Sequence, residues 1–193
     1  MITFGRDISV TENVELSTEK GDITVGHIVN ADNGMVHLDS GDGNVLVGKD
    51  ITAGEDVTVQ NTEMGSINGT DIVAAGTTYV ALTRGDLFLN LAEGKAVLVK
   101  MEDNTEASQV DKILAEASGG AGPDVVLTGN YIQIGSLTAK EGDAVFHLTA
   151  MGPNNQRLIG GNFAVENLSA KNGTQMPQLW VNGGYMHVDE GNR

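Results

Sequence analysis

Near-identical stanzas open at Gly21, Gly43 and Gly65, and a fourth opens at Gly85, so the chain repeats at intervals of 22, 22 and 20 residues. Each stanza holds two or three short runs in which apolar and polar residues alternate, separated by Gly, Asn or Asp. Alternation at period two marks a strand with one buried face. A strand-built unit of about 20 residues cannot bury its apolar face alone and must stack on its neighbours, which describes a solenoid.

Aligning the stanzas on their opening glycines puts Ile23, Val45, Ile67 and Leu87 in one column, with Val25, Val47 and Leu89 two residues later. A second run begins at Ile28, Ile51 and Ile72 and leads to a small residue suited to a corner, Ala31, Ala53 or Ala75. The third run carries Val36 and Leu38, then Val57 and Val59, then Val80 and Leu82. Three sides per turn follow. Stacked coils place each strand about 4.8 Å from its equivalent, in parallel register, with the aliphatic columns inside a narrow tube. Each buried Val, Ile or Leu contributes roughly 1.5–3 kcal/mol, so five or six per coil offset much of that coil's ordering entropy.

The pattern changes over residues 101–124, where Val110, Ile113, Leu114 and Ala117 fall at helical spacing. With Thr105 or Ser108 as N-cap and Gly119-Gly120 as the stop, the spacing predicts a short amphipathic helix inserted into one coil and lying on the tube's flank. Coil pattern resumes from Asp124 and runs to Val188, interrupted by a longer turn containing Pro153, Asn154 and Asn155. Phe163, Trp180 and Tyr185 make this last part richer in aromatics and are expected to pack in a wider end of the core, or beside Pro177, rather than to form a sugar platform.

The 26 acidic against 11 basic residues give a formal charge of −15, which argues against nucleic acid as a partner, because phosphate binding needs Lys and Arg. Cysteine is absent, so disulfides, thiolate metal ligands and thiol chemistry are excluded. The 26 glycines beside three prolines fit a chain that turns often while keeping its strand hydrogen bonds. No apolar run approaches the roughly 18 to 20 residues that span a bilayer, so insertion of this segment into a membrane is not expected. The start MITFGRDISV lacks the pattern of a signal peptide. Residues 7–21 already read as most of a coil and the chain stops just after a strand, so residues 1–193 are expected to be a single β-helix domain excerpted from a larger protein.

Carboxylates are plentiful, and a β-solenoid can present them along one face to an extended sugar. However, Asp22, Asp32, Asp39, Asp42, Asp50, Asp56, Asp71 and Asp86 recur mostly beside Gly or Asn, where an Asx side chain caps its own turn. Asp39-Ser40-Gly41-Asp42-Gly43-Asn44 groups oxygen ligands, yet lacks the spacing of a calcium loop. His27, His37, His147 and His187 are too scattered for a ligand set, although stacking can bring His27 and His37 near neighbouring coils. No phosphate loop, nucleophile elbow or Ser/His/Asp signature is present. Neither a catalytic residue, a metal site nor a cofactor is assigned from these residues.

The wording of Gly48-Lys49-Asp50-Ile51-Thr52-Ala53-Gly54-Glu55-Asp56-Val57-Thr58-Val59 resembles the filamentous haemagglutinin-like adhesins of bacteria and the leukotoxin-type filamentous adhesins. Residues 6–100 carry the resemblance, with a weaker echo over 124–188. It implies a right-handed parallel β-helix, export with the help of an outer-membrane partner, and a secreted or cell-surface location. It also implies non-covalent attachment to a glycan or protein on host or bacterial surfaces. Two other functions fit such a solenoid: a glycan-active enzyme of the polysaccharide lyase or hydrolase kind, and a spacer that lengthens a fibre.

Overall fold

The structure is a computed structural model and describes residues 1–103, 108–116, 125–129, 132–139, 144–149, 163–170, 179–182 and 186–188. The first coil contributes β1 (Ile2–Phe4), β2 (Ile8–Val10) and β3 (Val14–Ser17). The second contributes β4 (Ile23–Val25), β5 (Val29–Ala31) and β6 (Val36–Asp39), and the third β7 (Val45–Val47), β8 (Ile51–Ala53) and β9 (Val57–Asn61). The fourth contributes β10 (Ile67–Asn68), β11 (Asp71–Ala74) and β12 (Thr77–Arg84). Two longer strands per coil then follow: β13 (Leu87–Gly94) with β14 (Ala96–Asp103), β15 (Gln109–Ala115) with β16 (Val125–Gly129), and β17 (Ile132–Ala139) with β18 (Ala144–Thr149). The last are β19 (Phe163–Ala170), β20 (Leu179–Asn182) and β21 (Met186–Val188).

All strand pairings among the described residues are parallel, each strand lying beside its equivalent one coil away. The chain is therefore an all-β parallel solenoid. The first expected column is present: Ile2, Ile23, Val45, Ile67 and Leu87 stand in register, and all but the first are buried. Alternation explains this directly, since successive side chains point in and out of the tube.

The second column is shifted by one residue from the sequence alignment. Val29, not Ile28, pairs with Ile51, which in turn pairs with Ile72, and Ala74, not Ala75, continues Ala31 and Ala53. The first corner spans three residues in the second and third coils (Gly26 to Ile28, Gly48 to Asp50) but two in the fourth, so residue counting across it loses phase. On the third side Val80 stacks beside Val59, and Leu82 stands opposite Asn61.

Three sides become two after the fourth coil. Strand β13 pairs with β10 through Leu87 and Phe88, and with β11 through Leu91, Ala92 and Glu93, so one continuous strand replaces two short strands and their corner. Along β13 the buried residues run Leu87, Leu89, then Ala92 and Gly94, with Asn90 and Leu91 turned outward at the bend.

This merging overturns the expected helix within 101–124. Residues up to Asp103 belong to β14, and Gln109–Ala115 is β15, paired with β13 and β17. Val110 and Ile113 are buried three residues apart because the strand bends between two faces of the tube, as β13 does, and outward Asp111 and Lys112 occupy the bend. A bent strand thus mimics the spacing of a helix. Thr105, Ala117 and Gly119-Gly120 lie outside the described residues, as do Pro153, Asn154, Asn155, Pro177 and Tyr185.

Candidate functional site

Several of the carboxylates expected to cap their own turns, Asp22, Asp50, Asp56 and Asp86, act instead between coils. Asp22 accepts the backbone N–H of Asn44 at 2.7 Å, and Asp56 accepts that of Thr77 at 2.6 Å, each 21 or 22 residues further on. Asp7 accepts Ile28 N–H at 3.3 Å, and Asp50 accepts the Thr70 hydroxyl at 2.9 Å. Asp39 acts locally as well, accepting Gly41 N–H at 3.0 Å while its other oxygen takes the Gln60 amide at 2.8 Å, and Asp32 accepts the side-chain amide of Asn30 two residues before it. At a corner, an amide turned away from the regular ladder needs an acceptor, and a carboxylate from the adjacent coil supplies one. These acids are distributed along the axis by their structural task. Among the described residues no three His, Cys, Asp or Glu side chains converge as a metal site would require.

The stretch Asp39 to Asn44 is likewise occupied by its own bonds. Ser40 Oγ donates to the Gly43 carbonyl at 2.6 Å, and the Asn61 amide donates to that carbonyl at 2.5 Å and to Ser40 Oγ at 3.2 Å. His27 sits at the first corner, with Nδ1 3.6 Å from Asp7 Oδ1, whereas His37 lies on β6 between Glu15 and Thr58 in the other sheet. Coil stacking therefore does not join the two histidines. By register, His147 stands between Thr128 and Trp180, and His187 beside Ala164 on the opposite sheet; Phe163 and Trp180 are also placed on different sheets.

The feature that the fold adds is a shallow open groove of about 520 Å³ running parallel to the solenoid axis. It follows the corner where the second strand of each coil ends. Asn30, Thr52 and Glu93 form one wall, and Asp32 and Lys95 stand on the other, with small residues such as Ala75 between. The wall is internally bonded at one end: Thr52 donates to Asn30 Oδ1 at 2.5 Å, and Asn30 Nδ2 donates to Asp32 at 2.7 Å. Backbone groups at this corner are paired along the axis, Gly54 N–H to Ala31 O at 2.9 Å and Ala75 N–H to Ala53 O at 3.0 Å. Anything lying in the groove is thus met chiefly by side chains. The groove residues recur 20 to 23 residues apart, and only their position beside a buried aliphatic residue could have flagged the wall in the sequence.

A second, smaller hollow of about 180 Å³ lies on the face bearing Gln60, Tyr79, Lys100 and Glu102. The Lys100 ammonium donates to Glu102 at 2.8 Å, and this hydrogen bond, with the charge of the same carboxylate, raises the lysine pKa above its ordinary value. No helix among the described residues is long and apolar enough to cross a membrane. No family model, curated protein or solved structure matches this chain.

Proposed function

We propose that this chain is an attachment segment of a secreted or cell-surface bacterial adhesin, binding a glycan or protein without covalent chemistry. The observation that carries this reading is the longitudinal groove across successive coils, an extended, side-chain-lined surface suited to an extended partner. The use of carboxylates as coil-to-coil acceptors supports the same reading, because it accounts for acids that a glycan-cleaving enzyme would gather at one place. The resemblance of Gly48 to Val59 to filamentous adhesins adds the location and the outer-membrane secretion partner.

The test is binding of the purified chain to cells and to a glycan array, compared with Ala75→Trp, which fills the groove at an exposed position. Attachment that falls at least about tenfold in the variant, a loss of about 1.4 kcal/mol, with an unchanged circular dichroism spectrum, supports the groove. Release of reducing or unsaturated sugar ends in the same incubation would replace attachment by glycan cleavage. Absence of binding to every surface tried would leave the fibre spacer.

A further inference from the structure

The smaller hollow has a simple origin in the lattice of outward side chains on its sheet. On β12, Ala81 stands between Gln60 of β9 on one side and Lys100 of β14 on the other. Tyr79 and Thr83 are its neighbours on the same face of β12, two residues to either side. The other positions of the column, Asp39, Gln60, Lys100 and Thr128, carry longer side chains, so the column dips at Ala81. Alanine adds little to a strand at an outward position, so the sheet itself does not call for the dip. Strand geometry sets the opening at about 9.6 Å from Gln60 to Lys100 and about 13 Å from Tyr79 to Thr83. Its volume of about 180 Å³ matches about six waters of liquid, the bulk of one pyranose ring with its hydroxyls.

Donors and acceptors surround an apolar floor. The Lys100 ammonium has three N–H groups and gives one to Glu102 at 2.8 Å, so the others face a ligand beside the second oxygen of that carboxylate. Gln60 uses its amide nitrogen on Asp39 at 2.8 Å, which leaves its carbonyl oxygen as an acceptor. Thr83 donates its hydroxyl to Thr62 O at 3.1 Å and keeps its lone pairs. Tyr79 supplies a ring face and a phenol, and Ala81 a methyl group. An exposed ion pair such as Lys100 with Glu102 contributes little to stability, so the fold does not depend on it.

This set of groups discriminates between ligand classes. An anion needs an uncompensated cation, and the Lys100 charge is met by Glu102 in a chain of net charge −15. A metal ion needs converging ligands, which no three His, Cys, Asp or Glu side chains among the described residues provide. A purely apolar molecule would desolvate the lysine, glutamate and glutamine without replacing their water. A neutral sugar meets every group, because its hydroxyls both donate and accept and its C–H face lies flat on an aromatic ring.

We propose that this hollow is a saccharide-binding site for one neutral pyranose unit of a glycan, its apolar face on Tyr79 and Ala81 and its adjacent hydroxyls bridging Lys100 and Glu102. The site lies on the sheet of β9, β12 and β14, whereas the longitudinal groove follows the ends of β5, β8 and β11 in the other sheet. It therefore stands whether or not the groove binds a partner.

The test is titration of the whole chain with lactose, maltose, cellobiose, chitobiose and mannobiose, and with the acidic sugars sialyllactose and digalacturonic acid. Binding is read from saturation transfer to the sugar protons and from the Ala81 methyl and Tyr79 ring signals. At least one neutral disaccharide is expected to bind in the millimolar range and move those signals, and the acidic sugars are expected to bind at least about tenfold more weakly. Ala81→Leu fills the dip and Tyr79→Ala removes the ring; each is expected to weaken binding at least about tenfold with an unchanged circular dichroism spectrum. Tyr79→Phe, which keeps the ring, is expected to stay within about threefold of the parent. No binding of any neutral disaccharide at tens of millimolar overturns the proposal. So does binding that survives Ala81→Leu and Tyr79→Ala, or tighter binding of the acidic sugars. Binding lost in Ala75→Trp but kept in Ala81→Leu overturns it as well, by moving sugar recognition to the groove.

Discussion

One carboxylate oxygen of Asp22 accepts both the backbone N–H of Asn44, at 2.7 Å, and the side-chain amide of Asn44, at 3.2 Å, so the side chain that opens one coil holds the start of the next. The arrangement continues along the axis. Asn44 accepts Ser66 N–H at 2.8 Å, Ser66 Oγ accepts Asp86 N–H at 3.1 Å, and Asp86 accepts the Ser108 hydroxyl at 2.9 Å. A spine of short polar side chains therefore runs beside the column of Ile23, Val45, Ile67 and Leu87.

Removal of the first link tests what the spine contributes. Asp22→Ala leaves the Asn44 amide with no acceptor from this side chain, and a hydrogen bond to a charged acceptor is worth about 1.5–3 kcal/mol. The expected outcome is a loss in that range, read from the urea midpoint at unchanged slope. Asp22→Asn, which keeps an acceptor oxygen but not its charge, is expected to recover about half of the loss.

Two glycines, Gly65 and Gly5, differ sharply in what they tolerate. Gly65 has φ +143°, and a Cβ there would run into the Gly43 carbonyl oxygen of the preceding coil. Gly65→Ala is expected to cost at least about 3 kcal/mol, from backbone strain and displaced backbone together. Gly5, where a Cβ meets nothing within 4 Å, is the control. Gly5→Ala is expected to stay within about 0.5 kcal/mol of the parent in the same denaturation experiment.

The register of the second side predicts an asymmetry between neighbours. Val29 is fully buried beside Ile51, while Ile28 at the corner is only half-buried. Val29→Ala is expected to lose about 2–3 kcal/mol, and Ile28→Ala less than about 1 kcal/mol. The reverse order in thermal or urea unfolding would place the strand one residue out of phase, with Ile28 in the core.

The solenoid is legible in the sequence wherever one strand sits on one face. Strict alternation over Ile23-Thr24-Val25, repeated in phase at Val45 and Val47, can only be satisfied by an inward column, and the glycine interval sets its period. Legibility ends at bends. Corner length is not written into alternation, so counting ten residues from each glycine reaches Ala31, Ala53 and then Ala75, where the column runs through Ala74. Where β15 bends between two faces without breaking, Val110 and Ile113 acquire a helical spacing with no helix present. The groove is less visible still, because Asn30, Thr52 and Glu93 gain a common wall only once coils are stacked. The acids read as structural from their glycine and asparagine neighbours, but a bond from Asp22 to Asn44 has no local signature and looks like a turn cap until the coils are in register.

One position sets a polar side chain in an otherwise aliphatic row. Asn61 is 2% exposed and stands in register with Leu82, which in turn stands beside Met101. Its amide nitrogen is used twice, by Gly43 O and Ser40 Oγ, but its oxygen meets no protein donor. Asn61→Leu removes that stranded oxygen at similar volume, and the Gly43 carbonyl keeps the Ser40 hydroxyl as a donor. The expected outcome is stability within about 1 kcal/mol of the parent or above it, because exchanging a half-satisfied buried amide for a well-packed aliphatic group is close to neutral. Asn61→Asp should behave in the opposite way. The new carboxylate would be buried against the Gly43 carbonyl oxygen, which raises its folded pKa above the unfolded value of about 3.9. The penalty is then full at neutral pH, about 3–5 kcal/mol, and fades as pH falls toward the unfolded pKa, where both states carry the neutral acid. Urea midpoints measured from pH 7 down to pH 4 check the sign. If the Asn61→Asp variant instead kept the same stability difference from the parent throughout this range, position 61 would have to be open to water and not inside the tube.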